Sequence, residues 1–329
     1  MIPSWVLLAA TASTFVRPVA SSTLYPFSPT GSRINLTGYI CGTCPSTPDP
    51  GHLLTILPST YTTLLFAFAG WDDSGSILNQ WDAPDKGFFL NSSVVAALQS
   101  RGFVVGLSVG AGAGNVLPSP LPQGFAANMQ AGLSGLVSAL NITVIDFDLE
   151  NWPGDVSSIS AAASAMRSVA AGLRAAHQGL HISGAPQMTD LYCDYPSVTA
   201  GFNRYAELVA SLDVVMPQMY NTWSAVETIA YAEAYVESLM NGCDISPVNV
   251  NVSVAPSNLM LGYPASRNGA SSGFIDPSAV VAMYRSLQAQ GIVLNGFMTW
   301  DCGWDAQNGF AFAQAVAATN AAVAAKEYN

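Results

Sequence analysis

Eight short apolar runs, most of them followed by a loop and an Ala-rich stretch, constrain the fold of this chain more than any other feature. The runs are Ile34–Ile40, Thr63–Ala69, Val104–Ser108, Thr143–Glu150, His181–Ala185, Val214–Met219, Asn258–Gly262 and Gly296–Trp300. Continuous apolar runs of this length read as strands covered on both faces. Between them, Ser92–Ser100, Phe125–Leu140, Ser157–His177, Ala200–Ser211, Ala225–Met240, Pro277–Ala289 and Phe310–Ala325 carry apolar residues three and four apart. That spacing predicts amphipathic helices. The helix after the first strand is short, His52–Leu57. Eight strands alternating with helices predict a single-domain α/β fold, a (β/α)8 TIM barrel, with a doubly wound open sheet as the alternative.

One strand stands apart. Asp146-Phe147-Asp148-Leu149-Glu150 alternates carboxylates with apolar residues in a chain of which only 9% is charged. An ordinary globular protein carries about 25%. Strand side chains alternate faces, so Asp146, Asp148 and Glu150 share one face while Ile145, Phe147 and Leu149 pack behind. Carboxylates this close cannot all ionise cheaply, so at least one pKa rises, as general acid catalysis requires. Taken alone, the strand also fits an oxygen-ligand site for calcium or magnesium. It fits equally the Asp-x-Asp metal motif of nucleotide-sugar transferases.

Net charge is −11, and the ten Lys and Arg form no run. That excludes a nucleic-acid partner, which needs clustered cations. A surface of Ser, Thr, Asn, Gln and Gly suits a neutral polar substrate such as a glycan. Trp5-Val6-Leu7-Leu8-Ala9-Ala10 and the small residues of Val19-Ala20-Ser21-Ser22 resemble a secretory signal, although no Lys or Arg opens it. Residues 1–21 are therefore expected to be a signal peptide and residues 22–329 one catalytic domain, secreted and monomeric, with no stable membrane span. The sequons at Asn35, Asn91, Asn141 and Asn251 permit glycosylation, with Asn141 expected to be inaccessible. Five cysteines leave at least one thiol unpaired. Cys41-Gly-Thr-Cys44 has no second Cys-x-x-Cys, and the three histidines show no ligand spacing, so no metal or cofactor is expected.

Barrel enzymes carry their chemistry at the C-terminal ends of the strands. Trp71, Trp81, Trp152, Trp223, Trp300 and Trp304, with Tyr192, Tyr195 and Tyr220, fall at strand ends or in the loops beyond. They predict a cleft with flat apolar walls suited to sugar faces. Ser108-Val109-Gly110-Ala111 ends the third run, Ala185-Pro186-Gln187 the fifth, Gln218-Met219-Tyr220-Asn221 the sixth and Trp300-Asp301 the eighth. In these residues the chain resembles the family 18 glycoside hydrolases, especially the plant-type class III chitinases. That family's Asp-x-x-Asp-x-Asp-x-Glu is matched in its last three acids, its Ser-x-Gly-Gly by Ser108 to Ala111, its Gln-x-Tyr-Asp/Asn by Gln218 to Asn221, and its last-strand Trp by Trp300. The resemblance runs in order from about Asn35 to Gly309.

The resemblance implies an endo-acting hydrolase of β-1,4-linked N-acetylglucosamine polymers, with Glu150 as general acid. The substrate's own N-acetyl carbonyl acts as nucleophile, the substrate-assisted exception to the two-carboxylate scheme. Asp148 is implied as the partner of the acetamido N–H, Tyr220 of its oxygen, and Asp146 as the group that shares a proton with Asp148. Trp300 is implied as the subsite floor, with Gln218, Tyr39 and Phe68 as its walls. Some relatives have lost the acid and bind glycans without cleaving them, and an endo-acting N-glycan hydrolase is a close variant. Two positions depart from the pattern. Thr143 and Val144 stand where the family has Asp and Gly, which removes what reads as the deepest supporting carboxylate. Ala111 replaces a Gly.

Overall fold

The apolar runs become strands because both their faces are covered, one by the barrel interior and one by helices. The computed structural model describes residues 33–111, 115–199, 201–223 and 227–327. The barrel strands are β1 (Asn35–Cys41), β2 (Thr63–Trp71), β3 (Val104–Gly110), β4 (Val144–Asp148), β5 (His181–Gly184), β6 (Val214–Val215), β7 (Met260–Pro264) and β8 (Gly296–Trp300). All neighbours pair in parallel, in the order β7-β8-β1-β2-β3-β4-β5-β6. Parallel bridges Val215–Leu259 and Gln218–Gly262 join the last strand to the first, so the sheet curls into a nearly closed barrel rather than an open sheet.

Period-two alternation divides the strands between two cores. Tyr39, Leu65, Ala67, Val144, Val214, Met216, Met260 and Met298 fill the barrel. Ile145, Phe147 and Leu149 point outward into the larger core beneath the helices. The helices are α1 (Pro50–Ile56), α2 (Ser92–Ser100), α3 (Phe125–Leu140), α4 (Val156–Ala176), α5 (Ile229–Asn241), α6 (Pro277–Ala289), α7 (Cys302–Gln307) and α8 (Ala311–Glu327). In α3, Phe125, Met129, Leu133, Val137 and Leu140 make the buried stripe. Asp155 caps α4 by accepting from the Ser158 N–H, a contribution of about 1 kcal/mol.

The helix expected over 200–211 does not form in its described part, residues 201–211. Only a 3-10 turn at Val209–Ser211 is helical there. Asn203 holds a left-handed φ of 56°, and its amide organises the preceding loop instead of continuing a helix. The sixth strand is also shorter than predicted, because Pro217 has no N–H to give the ladder. Three short elements escaped the periodicity argument: a strand at Ile77–Asn79 antiparallel to β2, a hairpin of Cys243–Ile245 with Val250–Val252, and α7.

Disulfides join Cys41 to Cys44 and Cys193 to Cys243, leaving Cys302 buried and free. Asn35 is buried in β1 and donates to Asn295, whereas Asn91, Asn141 and Asn251 are exposed. Asn141 is thus accessible, contrary to expectation, because it turns the chain out of α3. The signal segment lies outside the described residues. Among the described residues no helix is long and apolar enough to cross a membrane.

Candidate active site

Strand β4 sets the site, and its neighbours set β4. Asp146 pairs in register with Ser108 on β3 and Ser183 on β5. Both hydroxyls donate to its carboxylate, at 2.8 and 2.7 Å, and Tyr39 Oη donates at 2.7 Å. Asp146 is fully buried beneath the site. Burial raises its pKa, while the three hydroxyl donors pull it back. Those donors occupy both oxygens that a cation would need. The bonds of Asp146 thus run to Tyr39, Ser108 and Ser183, and its influence on Asp148 is electrostatic.

Asp148 is one step closer to the mouth and still buried. Burial, then Glu150, then Asp146, push its carboxyl well above the ordinary range. Glu150 follows the strand end and is half-buried at the cleft surface. One amide links the two acids: Gln218 Nε2 donates to Asp148 Oδ1 at 2.9 Å, to Glu150 Oε1 at 3.1 Å and to the Ala185 carbonyl at 3.1 Å. Two amide protons serve three acceptors, so the carboxylates compete for them.

The cleft holds about 360 Å³ and is lined by Phe68, Trp300, Asp148, Glu150, Gln218 and Tyr220, with Cys41, Thr43, Cys44, Gln80, Ala111 and Asn221. Phe68 and Trp300 stack at 5.6 Å, making one flat wall. Tyr39 was expected in that wall. It lies buried beneath Trp300 instead, ring centroids 5.5 Å apart, because its hydroxyl is drawn down to Asp146. Tyr220 is nearly buried, and burial, with Asp148 as the next cause, holds its hydroxyl protonated far above neutral pH. Gly273 has a φ of 85°, and a Cβ there would come within 2.5 Å of Tyr220 Cα, so its loop presses on this tyrosine.

Of the mouth tryptophans, Trp71, Trp81 and Trp152 are buried in the outer core rather than in the cleft, and Trp300 alone lines it. Trp152 instead fixes the end of β4, donating Nε1 to the Leu149 carbonyl at 2.7 Å.

Several residues that build the site were not legible in the sequence. The irregular segment after β5 supplies Tyr205, which donates to the Phe147 carbonyl and accepts from the Leu149 N–H at 3.1 Å, replacing ladder partners where β4 ends. Its neighbour Arg204 is buried, pairs with Asp190 at 2.5 Å and reaches the Glu150 carbonyl and Gln187 Oε1, both at 3.3 Å. Leaving either member of such a buried pair alone costs about 3–5 kcal/mol. The signal that was available is Arg204 itself, an interior cation in a chain with ten. The Cys41–Cys44 disulfide also lines the cleft, its loop tied down by Lys86 Nζ, which donates to the carbonyls of Gly42, Cys44 and Thr47.

The two departures resolve differently. Thr143 lies at the entry end of β4, exposed and on the face opposite to Asp146, so it does not stand where a supporting acid could reach the others. Odd and even positions on a strand never share a face. Val144 points into the barrel, and Gly106 beside it leaves the room: a Cβ there would meet Val144 at 2.6 Å. Ala111 is under real strain, with φ of 101°. Its N–H donates to the Asp148 carbonyl at 3.0 Å, which ties the end of β3 to the end of β4.

Burial dominates the raised carboxyls, which fixes the sign of the pH dependence. Asp301 is pushed up to about 6. The folded chain then holds protons that the unfolded chain has released, so this contribution is complete below the ordinary carboxylate pKa of about 4. It is lost as pH rises through about 6. Denaturant titrations across this range should give falling stability from about pH 4 to pH 7. Asp301→Asn keeps the cap on Trp304 N and should flatten the curve by roughly 2–3 kcal/mol.

No protein-family model matches the chain. A chitinase from Chromobacterium violaceum superposes with a TM-score of 0.73 at 21% identity, covering 92% of this chain and 91% of that one. The chitinase A structure from Streptomyces coelicolor superposes at 0.65 with 25% identity, over 89% of this chain and all of that one. The barrel is similar to that of a family 18 chitinase. An acidic endochitinase of Arabidopsis thaliana is 25% identical over 235 residues, which is 66% of this chain and 68% of the plant protein. A xylanase and alpha-amylase inhibitor protein from Scadoxus multiflorus also superposes, at 0.60 with 17% identity, over 87% of this chain and 98% of that one.

Proposed function

We propose that this chain is an endo-acting hydrolase of β-1,4-linked N-acetylglucosamine polymers, chitin foremost, working by retention with substrate assistance. One observation carries the reading. The carboxylates lining the cleft, among the described residues, are Asp148 and Glu150, neighbours on one strand face rather than a pair facing each other across the substrate. A retaining enzyme with a carboxylate nucleophile needs the facing pair. Here the nucleophile is the substrate's acetamido carbonyl.

Glu150, at the cleft surface, protonates the glycosidic oxygen. Asp148 accepts a hydrogen bond from the acetamido N–H and stabilises the oxazolinium as its charge develops. Tyr220, kept protonated, donates to the acetamido oxygen and holds it in line with the anomeric carbon. Gln218 fixes the relative position of the two acids, and Asp146 supports Asp148 from below. The stacked Phe68–Trp300 pair takes a sugar face in the subsite where the ring distorts.

A non-catalytic glycan-binding role on the same barrel is the second reading. The presence together of Glu150, Asp148 and Tyr220 in one cleft favours catalysis. Digestion of chitin, peptidoglycan and a high-mannose glycopeptide, each with and without chelator, tests the proposal. Chitin should be cleaved and chelator should make no difference. No cleavage of any of the three, with binding intact, would favour the lectin, and chelator-sensitive turnover would point to a cation.

A further inference from the structure

Two of the few large apolar side chains left in solvent among the described residues are the rings of Tyr195, 40% exposed, and Trp223, 38% exposed. They belong to one ring cluster. Tyr195 stacks on Phe202 at 4.4 Å, Phe202 lies 6.4 Å from Trp223, and Tyr192 meets Trp223 edge-on at 6.2 Å. A patch of rings in water costs free energy and needs a reason.

The cluster is built to be rigid. The buried Asn203 amide donates to the carbonyls of Tyr192, Tyr195 and Ser197 and accepts from the Tyr192 N–H. The loop thus folds around one side chain. The Cys193–Cys243 disulfide ties the loop to the Cys243–Ile245 strand, and a parallel bridge joins Ser197 to Ser246. Rigid aromatic anchors lose little conformational entropy on binding.

Its place in the barrel is equally specific. The rings come from the segments following β5 and β6, whereas Phe68 and the Cys41–Cys44 loop come from β2 and β1. Strands four apart in an eight-stranded barrel lie on opposite sides of the mouth. Asn221 lines the cleft, and Trp223 is two residues beyond it, roughly 7 Å of extended chain. A polymer that starts on the Phe68–Trp300 wall and leaves the cleft past Asn221 would meet Trp223 first. Residues 192–203 contain one charge, Asp194, and no cation, which disfavours an anionic ligand.

We propose that Tyr192, Tyr195, Phe202 and Trp223 form an extended carbohydrate-binding platform. Its occupant is the part of the N-acetylglucosamine polymer that continues beyond the cleft on the β5–β6 side. The platform rests on the glycan reading of the cleft, and it adds a preference for long chains that the cleft alone does not supply.

The test is calorimetric binding of chitohexaose and chitobiose to a Glu150→Gln parent, with and without Trp223→Ala and Tyr195→Ala together. Removal of both rings should weaken the hexamer about tenfold and the dimer less than about twofold. Trp223→Phe with Tyr195→Phe should restore hexamer binding, which separates ring loss from misfolding. Equal losses for both oligomers, or no loss for either, would overturn the platform alone. A parent that binds neither oligomer would overturn the cleft reading with it. A dimer of the parent that dissociates when the rings are removed, with hexamer binding unchanged, would assign the patch to self-association and overturn the proposal.

Discussion

Replacing Glu150 with Gln is expected to lower kcat on N-acetylglucosamine polymers by about 10³-fold while leaving oligosaccharide affinity within about threefold. General acid catalysis contributes about 10² to 10⁴. Glu150 is the acid at the cleft surface, whereas Asp146 and Asp148 are buried below it. Gln retains an oxygen for the Gln218 amide, so the cleft should keep its shape. The loss should depend on the leaving group. A dinitrophenyl glycoside departs without a proton, so cleavage of its aryl bond should fall far less than cleavage of the polymer. Steady-state kinetics on both substrates read this directly. An unchanged kcat on polymer would remove Glu150 from the mechanism, and equal losses on both substrates would mean that it acts other than as an acid.

Asp148→Asn should cost about 10² to 10³ in kcat, close to the cost of removing one preorganised electrostatic partner of a developing charge. Asn keeps the oxygen that accepts from Gln218 at 2.9 Å in the wild type, so the change removes charge rather than shape. The expected signature is a loss in kcat larger than any change in KM, since the oxazolinium charge appears only on the way to the transition state. The double variant with Glu150→Gln should lose much less than the product of the two single losses, because both residues serve one step. Independent, multiplicative losses measured in the double variant would contradict the shared step.

The strands were readable because apolar runs covered on both faces leave a strong trace, and β8 begins and ends where the sequence places it. The acidic face of β4 was readable for the same reason: parity alone puts Asp146, Asp148 and Glu150 together. Parity also shows why Thr143 matters less than the family pattern implied. It is three residues from Asp146, on the other face. Two of the failures share one physical origin. Residues 200–211 carry helical spacing, yet Asn203 spends its amide on loop carbonyls, and the Arg204 guanidinium and Tyr205 hydroxyl donate to the end of β4. Such long-range hydrogen bonds override local propensity and have no period to detect. Tyr39 was misplaced in the cleft wall because its bond to Asp146 spans 107 positions of chain.

The arrangement of acids in the cleft makes a stereochemical claim. On the proposed reading the sugar's own acetamido group is the nucleophile, and a double displacement preserves the anomer. Proton NMR of the first products from a chitin oligomer, recorded before mutarotation, measures this most directly. The account predicts new reducing ends in the β configuration. An α anomer appearing first would mean single displacement by water and would contradict it.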